Sequence, residues 1–156
     1  MLTVNLLCVG KIKEPYFRDA IDEYVKRLRP FCKFQITEIP ESRIMDAPSA
    51  ADIEAALEKE GKRLLEKSAG LILPLCIEGR QHSSEELSGL LDTAKQTHGA
   101  VSFIIGSSHG LSDLVKKAGT GLSMSKMTFP HTLARVMLTE QIYRAFMILN
   151  RTKYHK

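Results

Sequence analysis

Apolar positions along this chain switch repeatedly between a strand-like and a helix-like spacing. Leu2 to Val9 is a near-continuous apolar run closed by Gly10, and its lack of alternation predicts a strand buried on both faces. After Lys11-Ile-Lys13, Pro15 opens a helix with Tyr16, Phe17, Ala20, Ile21, Tyr24, Val25 and Leu28 on one face, ended by Pro30. Phe34 to Ile39 alternates as a second strand stopped by Pro40. Residues 41–50 read as a polar loop, with Ser49 as the N-cap of a charged helix that runs to about Ser68. Ile53, Leu57, Leu64 and Leu65 of that helix point inward, and Gly61 is its weak point.

Leu71 to Ile77 is a third strand in spite of Pro74, which cannot donate to a ladder. Glu78-Gly-Arg80 is expected to turn the chain, and Ser83-Ser-Glu-Glu86 is a capping box opening a helix with Leu87, Leu90, Leu91 and Ala94. Val101 to Ile105 is a fourth strand running into Gly106-Ser-Ser-His-Gly110; Ser112 then caps a short helix of Asp113 to Ala118. Gly119 and Gly121 release it into a short strand at Leu122 and a polar turn. Pro130 sits in the first turn of the longest helix, whose inward positions are Leu133, Ala134, Met137, Leu138, Ile142, Ala145, Phe146 and Leu149. Alternating strands and helices predict an α/β class, with a mainly parallel sheet of about five strands flanked by helices in one domain, 1–156. The apolar face from 133 to 149 exceeds what one small sheet covers, which fits a dimer.

Charge changes the picture at one end. The net charge is +4, but the segment from Lys126 onward holds six basic residues (Lys126, Arg135, Arg144, Arg151, Lys153, Lys156) against the single acid Glu140. With Tyr143, Tyr154, His131 and His155 in the same segment, a polyanion is the expected partner, RNA before membrane. No apolar run approaches the roughly 18 residues of a membrane span. Cys8, Cys32 and Cys76 are far apart with apolar neighbours, which points to buried thiols in a reducing cytoplasm and to no metal site.

Ligands of open parallel sheets bind beyond the carboxyl ends of the strands. Three such ends carry turn chemistry: Leu75-Cys-Ile-Glu-Gly79, Ile105-Gly-Ser-Ser-His-Gly110 and Met124-Ser-Lys-Met-Thr-Phe129. The chain lacks a P-loop, a G-x-G-x-x-G after its first strand, and any C-x-x-C or H-E-x-x-H. Gly106 to Gly110 does match G-x-S-x-G, with Ser108 as a nucleophile and Glu140 and His155 as the acid and base in chain order. Glycine turns and hydroxyls beside a basic surface also fit a cofactor held by backbone groups next to a phosphate-rich substrate.

Ser125-Lys-Met-Thr-Phe-Pro-His131, the Ile105–Gly110 turn, Glu140-Gln-Ile-Tyr-Arg-Ala-Phe146 and the terminal Tyr154-His-Lys156 together resemble the RlmH family of SPOUT methyltransferases. Val9-Gly-Lys-Ile-Lys13 and Glu58-Lys-Glu-Gly61 are similar to that family as well. The resemblance implies an S-adenosylmethionine-dependent, homodimeric enzyme with a trefoil-knotted C-terminal half, methylating N3 of a pseudouridine in 23S rRNA within the assembled 70S ribosome. It implies a cofactor site at Leu75, Gly106 and the loop Met124, Ser125, Lys126, Met127, Thr128 and Phe129. Catalysis or substrate contact is then expected at His131, Arg135, Arg144, Tyr154 and His155. The His131 imidazole is a candidate base. Arg135 and Arg144, nine residues apart on opposite sides of a helix, leave one to face RNA and the other to pair with Glu140 at i, i+4. Ser107 stands where the family usually has a second glycine; if that position needs positive φ, the serine costs about 1 kcal/mol. The alternatives are a non-catalytic RNA-binding module, supported by Ser107, and a SPOUT enzyme acting on tRNA.

Overall fold

Both faces of the first strand are covered, and the rest of the architecture follows from how. In the computed structural model, which describes residues 1–156, β1 (Thr3–Val9) sends Val4, Leu6 and Cys8 to one side and Leu7 and Val9 to the other. The remaining elements are α1 (Pro15–Leu28), β2 (Lys33–Ile39), α2 (Ala50–Glu66), β3 (Leu71–Gln81), α3 (Ser84–Thr97), β4 (Ala100–Ile105), α4 (Asp113–Lys117), β5 (Leu122–Ser123) and α5 (His131–Leu149). All five strands pair in parallel, in the order β2-β1-β4-β3-β5. Helices α1, α3 and α5 cover the larger core, which includes Phe103, Leu138, Ile142 and Phe146; α2 and α4 cover the smaller one around Leu64, Ile104 and Val115. The two capping boxes form as the sequence predicts, at Ser49 with Asp52 and at Ser83 with Glu86.

Two expectations change. Glu78-Gly-Arg80 is not a turn: β3 stays extended to Gln81, but Leu75 and Arg80 both align with Leu122. The intervening residues bulge out, which Gly79 and Gly121 permit because their backbones pass too closely for a side chain at position 79. Helix α5 also buries a different set from the one read off its spacing. Arg135, Thr139 and Met147 are buried, whereas Leu133 and Met137 are half-buried and Leu149 is exposed. Thr139 is tolerated inside because its hydroxyl donates to the Arg135 carbonyl at 2.7 Å. Pro74 lies inside the sheet, in register with Ile104 of β4. Gly61 is a close-approach position: a side chain there would meet Ser112 Oγ at 2.6 Å and Val115 Cγ2 at 2.9 Å.

Candidate active site

Three strand ends and one helix start converge beyond the carboxyl edge of the sheet. They enclose a cleft of about 700 Å³. Leu75 and Cys76 come from the β3 bulge, Gly106 to Leu111 from the turn after β4, and Met124, Ser125, Met127, Thr128 and Phe129 from the loop after β5. Pro130, His131 and Ala134 close it from α5. Every residue expected at the cofactor site lines this cleft except Lys126, which is exposed and absent from its wall. The loop owes its shape to Ser123, whose hydroxyl donates to the Ser125 carbonyl at 3.0 Å, and to Ser125 Oγ, which accepts from the Met127 N–H at 3.0 Å. Such short-range hydroxyl bonds stabilise a turn in place of ladder bonds.

The turn after β4 explains its own residues. A side chain at Gly106 would run into the carbonyl of Gly110, and Gly110 itself takes φ +86. Ser107 is buried and outside the left-handed region, where Arg151 is the sole non-glycine residue. The strain expected at Ser107 is therefore absent, and with it the one argument for a lost cofactor site. Ser108 lies on the cleft wall but its hydroxyl makes no hydrogen bond, while Glu140 and His155 belong to a cluster on the far half of α5. The G-x-S-x-G match is thus a turn and not a catalytic triad.

Residues that the sequence reading did not assign complete the rim. Lys116 pairs with Glu78 at 2.5 Å, holding the Glu78 carboxyl below its usual range and raising the lysine. Cys76 has its thiol raised by desolvation first and by Glu78 second. The bulge that exposes them has a sequence signal only in hindsight: a glycine on each of two neighbouring strands. At the α5 start, His131 Nδ1 is buried without a hydrogen-bond partner.

The five candidate catalytic residues separate into three places. Arg135 does not face RNA. It is 3% exposed, donating from Nη1 to Glu38 at 2.6 Å and from Nη2 to the Gly10 carbonyl at 3.1 Å, so it fastens the start of α5 to the ends of β1 and β2. Arg144 pairs with Glu140 at 2.6 Å, as its i, i+4 spacing allows. Tyr154 and His155 fold back onto Arg144: the guanidinium lies 4.8 Å over the Tyr154 ring and 3.2 Å from His155 Nδ1. Thirteen residues of α5 separate His131 from Arg144, roughly 20 Å at helical rise, so one chain does not bring them together. Two of the six basic residues are thereby neutralised, leaving Lys126, Arg151, Lys153 and Lys156 exposed.

A second cleft of about 600 Å³ shares Ser123 and Met124 with the first. Tyr24, Leu87, Val136, Met137 and Gln141 line it. No group of His, Cys, Asp and Glu stands close enough to hold a metal ion, and no helix is long and apolar enough to cross a membrane.

The family model for predicted SPOUT methyltransferases matches residues 2–155. The chain belongs to the SPOUT methyltransferase family. Within it, the chain is 42% identical to the ribosomal RNA large subunit methyltransferase H of Lactiplantibacillus plantarum, over 99% of this chain and 100% of that one. Proteins of the same name from Clostridium botulinum and Streptococcus uberis are 44% and 43% identical over the same shares. A probable methyltransferase from Bordetella pertussis Tohama I has a crystal structure with the same fold, at TM-score 0.57 and 14% identity, covering 92% of this chain and 93% of that one. For a SPOUT methyltransferase the 700 Å³ cleft has suitable chemistry for a methyl donor. Its walls mix apolar side chains such as Leu75, Met124 and Phe129 with serine hydroxyls and the glycine-bearing backbone of the 106–110 turn, and Glu78 is its one acid.

Proposed function

We propose that this SPOUT methyltransferase transfers the methyl group of S-adenosylmethionine to N3 of a pseudouridine in 23S rRNA, acting on the assembled 70S ribosome as a cytoplasmic homodimer. The observation that carries the reading is the convergence of Leu75, Gly106 and the 124–129 loop on one cleft with His131 at its edge. That convergence occurs in a chain aligned end to end with proteins named for large-subunit rRNA methylation. Leu75, Gly106, Met124, Ser125, Met127, Thr128 and Phe129 would hold the donor. The glycine at 106 matters because any side chain there would fill the turn that cradles it. When bound, S-adenosylmethionine supplies a sulfonium methyl group already activated towards a nucleophile.

The protein's remaining work is alignment and one proton. N3 of the base must lose its proton as the new N–C bond forms and the C–S electron pair returns to sulfur. His131 is the group we assign to that proton, because it stands at the cleft with an unpaired buried ring nitrogen. Arg144 lies about 20 Å along α5 from that point, and Tyr154 and His155 pack against it, so on this reading the three serve a cleft other than their own chain's. A second copy packed on the half-buried Leu133, Val136 and Met137 would supply it. The trefoil knot belongs to the same reading.

The test is transfer of labelled methyl from S-adenosylmethionine to ribosomes lacking the modification, with free rRNA and tRNA in parallel. Counts confined to ribosomes support the proposal. Counts on tRNA redirect the substrate, and no counts with no donor binding by calorimetry refute it.

A further inference from the structure

The C-terminal tail has order without a backbone reason for it. Beyond Thr152, whose N–H donates to the Met147 carbonyl at 3.0 Å, the main chain makes no main-chain hydrogen bond. Terminal residues in that position normally fray. Here side chains hold them, and the bonds lead back to one carboxylate. Glu140 is 17% exposed, and both its oxygens are taken. Oε1 accepts from Arg144 Nη2 at 2.6 Å and from the Tyr154 hydroxyl at 3.0 Å; Oε2 accepts from Gln141 Nε2 at 3.0 Å. Gln141 Oε1 in turn accepts from the Ser84 hydroxyl at 2.7 Å, which ties the group to the first turn of α3.

A second strap runs beside it. His155 Nδ1 lies 3.2 Å from Arg144 Nη1, and a guanidinium only donates, so Nδ1 must accept. The ring proton therefore sits on Nε2, 2.7 Å from Glu85 of α3. The Tyr143 and Tyr154 rings pack edge to face, with centroids 4.9 Å apart. Arg144 covers that ring, at 4.8 Å from its centroid. The Tyr154 hydroxyl is pushed up to about 12, by burial first and by the bond to Glu140 second, so it remains a donor at any working pH.

We infer that Glu140 is a positioning residue: with Ser84 and Glu85 as its α3 partners, it clamps Arg144, Tyr154 and His155 into one fixed arrangement before RNA arrives. The inference rests on the proposed role of the tail in the methyl transfer. Its consequence is preorganisation. A tail already ordered spares the substrate the cost of ordering it, and that cost appears in binding more than in the chemical step.

The experiment compares wild type with Glu140→Gln, Glu140→Ala, Tyr154→Phe and a chain lacking residues 154–156. Kinetics are read on assembled ribosomes, and the tail is read by carboxypeptidase digestion and by the Tyr154 ring resonances. Glu140→Ala is expected to raise KM for ribosomes about tenfold or more while kcat stays within about threefold, and to speed loss of the tail. Glu140→Gln keeps one acceptor oxygen and should fall between. Tyr154→Phe removes only the hydroxyl; it should release the tail without unfolding, which keeps the test alive if Glu140→Ala folds poorly. A wild-type KM with an undisturbed tail in Glu140→Ala, while the truncation abolishes transfer, overturns the clamp alone. Full transfer by the truncated chain instead overturns the tail's part in the reaction, and the clamp's role with it.

Discussion

Arg135 and Glu38 form an ion pair whose two ends sit in very different surroundings, and that difference predicts an asymmetric response to mutation. The Arg135 side chain is 3% exposed, whereas that of Glu38 is 34% exposed. Replacing Glu38 with alanine strands a buried guanidinium that retains the Gly10 carbonyl and leaves Nε, already without a partner, no better served. Breaking a buried pair in this way costs about 3–5 kcal/mol. Because water reaches the Glu38 end, the low figure applies, about 3 kcal/mol, and at roughly 2–4 °C per kcal/mol the melting temperature should fall by about 6–12 °C. Replacing Arg135 with methionine instead removes the buried charge, fills most of its volume, and leaves a carboxylate that solvent can hydrate. Its cost is the lost bond to the Gly10 carbonyl and little more, about 1 kcal/mol. The double variant should therefore be more stable than Glu38→Ala alone. Thermal and urea unfolding of the four proteins, followed by circular dichroism, measures all of this. A loss under about 1 kcal/mol in Glu38→Ala, or an equal loss in Arg135→Met, would refute the reasoning.

Gly61→Ala should destabilise by about 1–2 kcal/mol although alanine is the better helix former, because the added methyl meets Ser112 Oγ at 2.6 Å. That hydroxyl caps α4, and urea midpoints decide the sign. Cys8 and Cys32 have thiols pushed up to about 12 by burial, and the Tyr154 hydroxyl rises similarly. Each holds its proton more tightly when folded, so its contribution is fully present below the unfolded value and is lost as pH rises through the folded one. Stability should fall between about pH 9 and 12, read as melting temperature against pH. Cys76, half-buried on the wall of the 700 Å³ cleft, should be the one thiol that an aromatic disulfide reagent modifies in the folded protein. S-adenosylmethionine should slow that reaction; equal rates with and without it would place the donor elsewhere.

The sheet was legible because each strand's burial is written locally. The unbroken run from Leu2 to Val9 needs two apolar cores, and it has them. The capping boxes at Ser49 and Ser83 were legible for the same reason, since all their bonds lie within four residues. What escaped depends on distant partners. Nothing near Glu78 indicates that β3 continues past it, because the bulge is allowed by Gly121, forty-two residues from Gly79. Nothing in the helical spacing of α5 indicates that Arg135 is an inside residue, since its partners Glu38 and Gly10 lie 97 and 125 residues away.

The candidate site divides along the same line. The cleft residues were found because each sits at a strand end, where parallel sheets place ligands, whatever the rest of the chain does. The separation of His131 from Arg144 was also readable: both lie on one helix, and thirteen residues of rise fix their distance. Tyr154 and His155 could be read from the sequence as a frayed terminus, and the resemblance extending to the last residues favoured a functional group. Their fixed arrangement comes from side-chain contacts to Glu140, Glu85, Arg144 and Tyr143, which no local spacing shows. On the proposed function, a tail held that far from its own chain's cleft would serve the cleft of a second copy, and the truncation lacking residues 154–156 tests that directly.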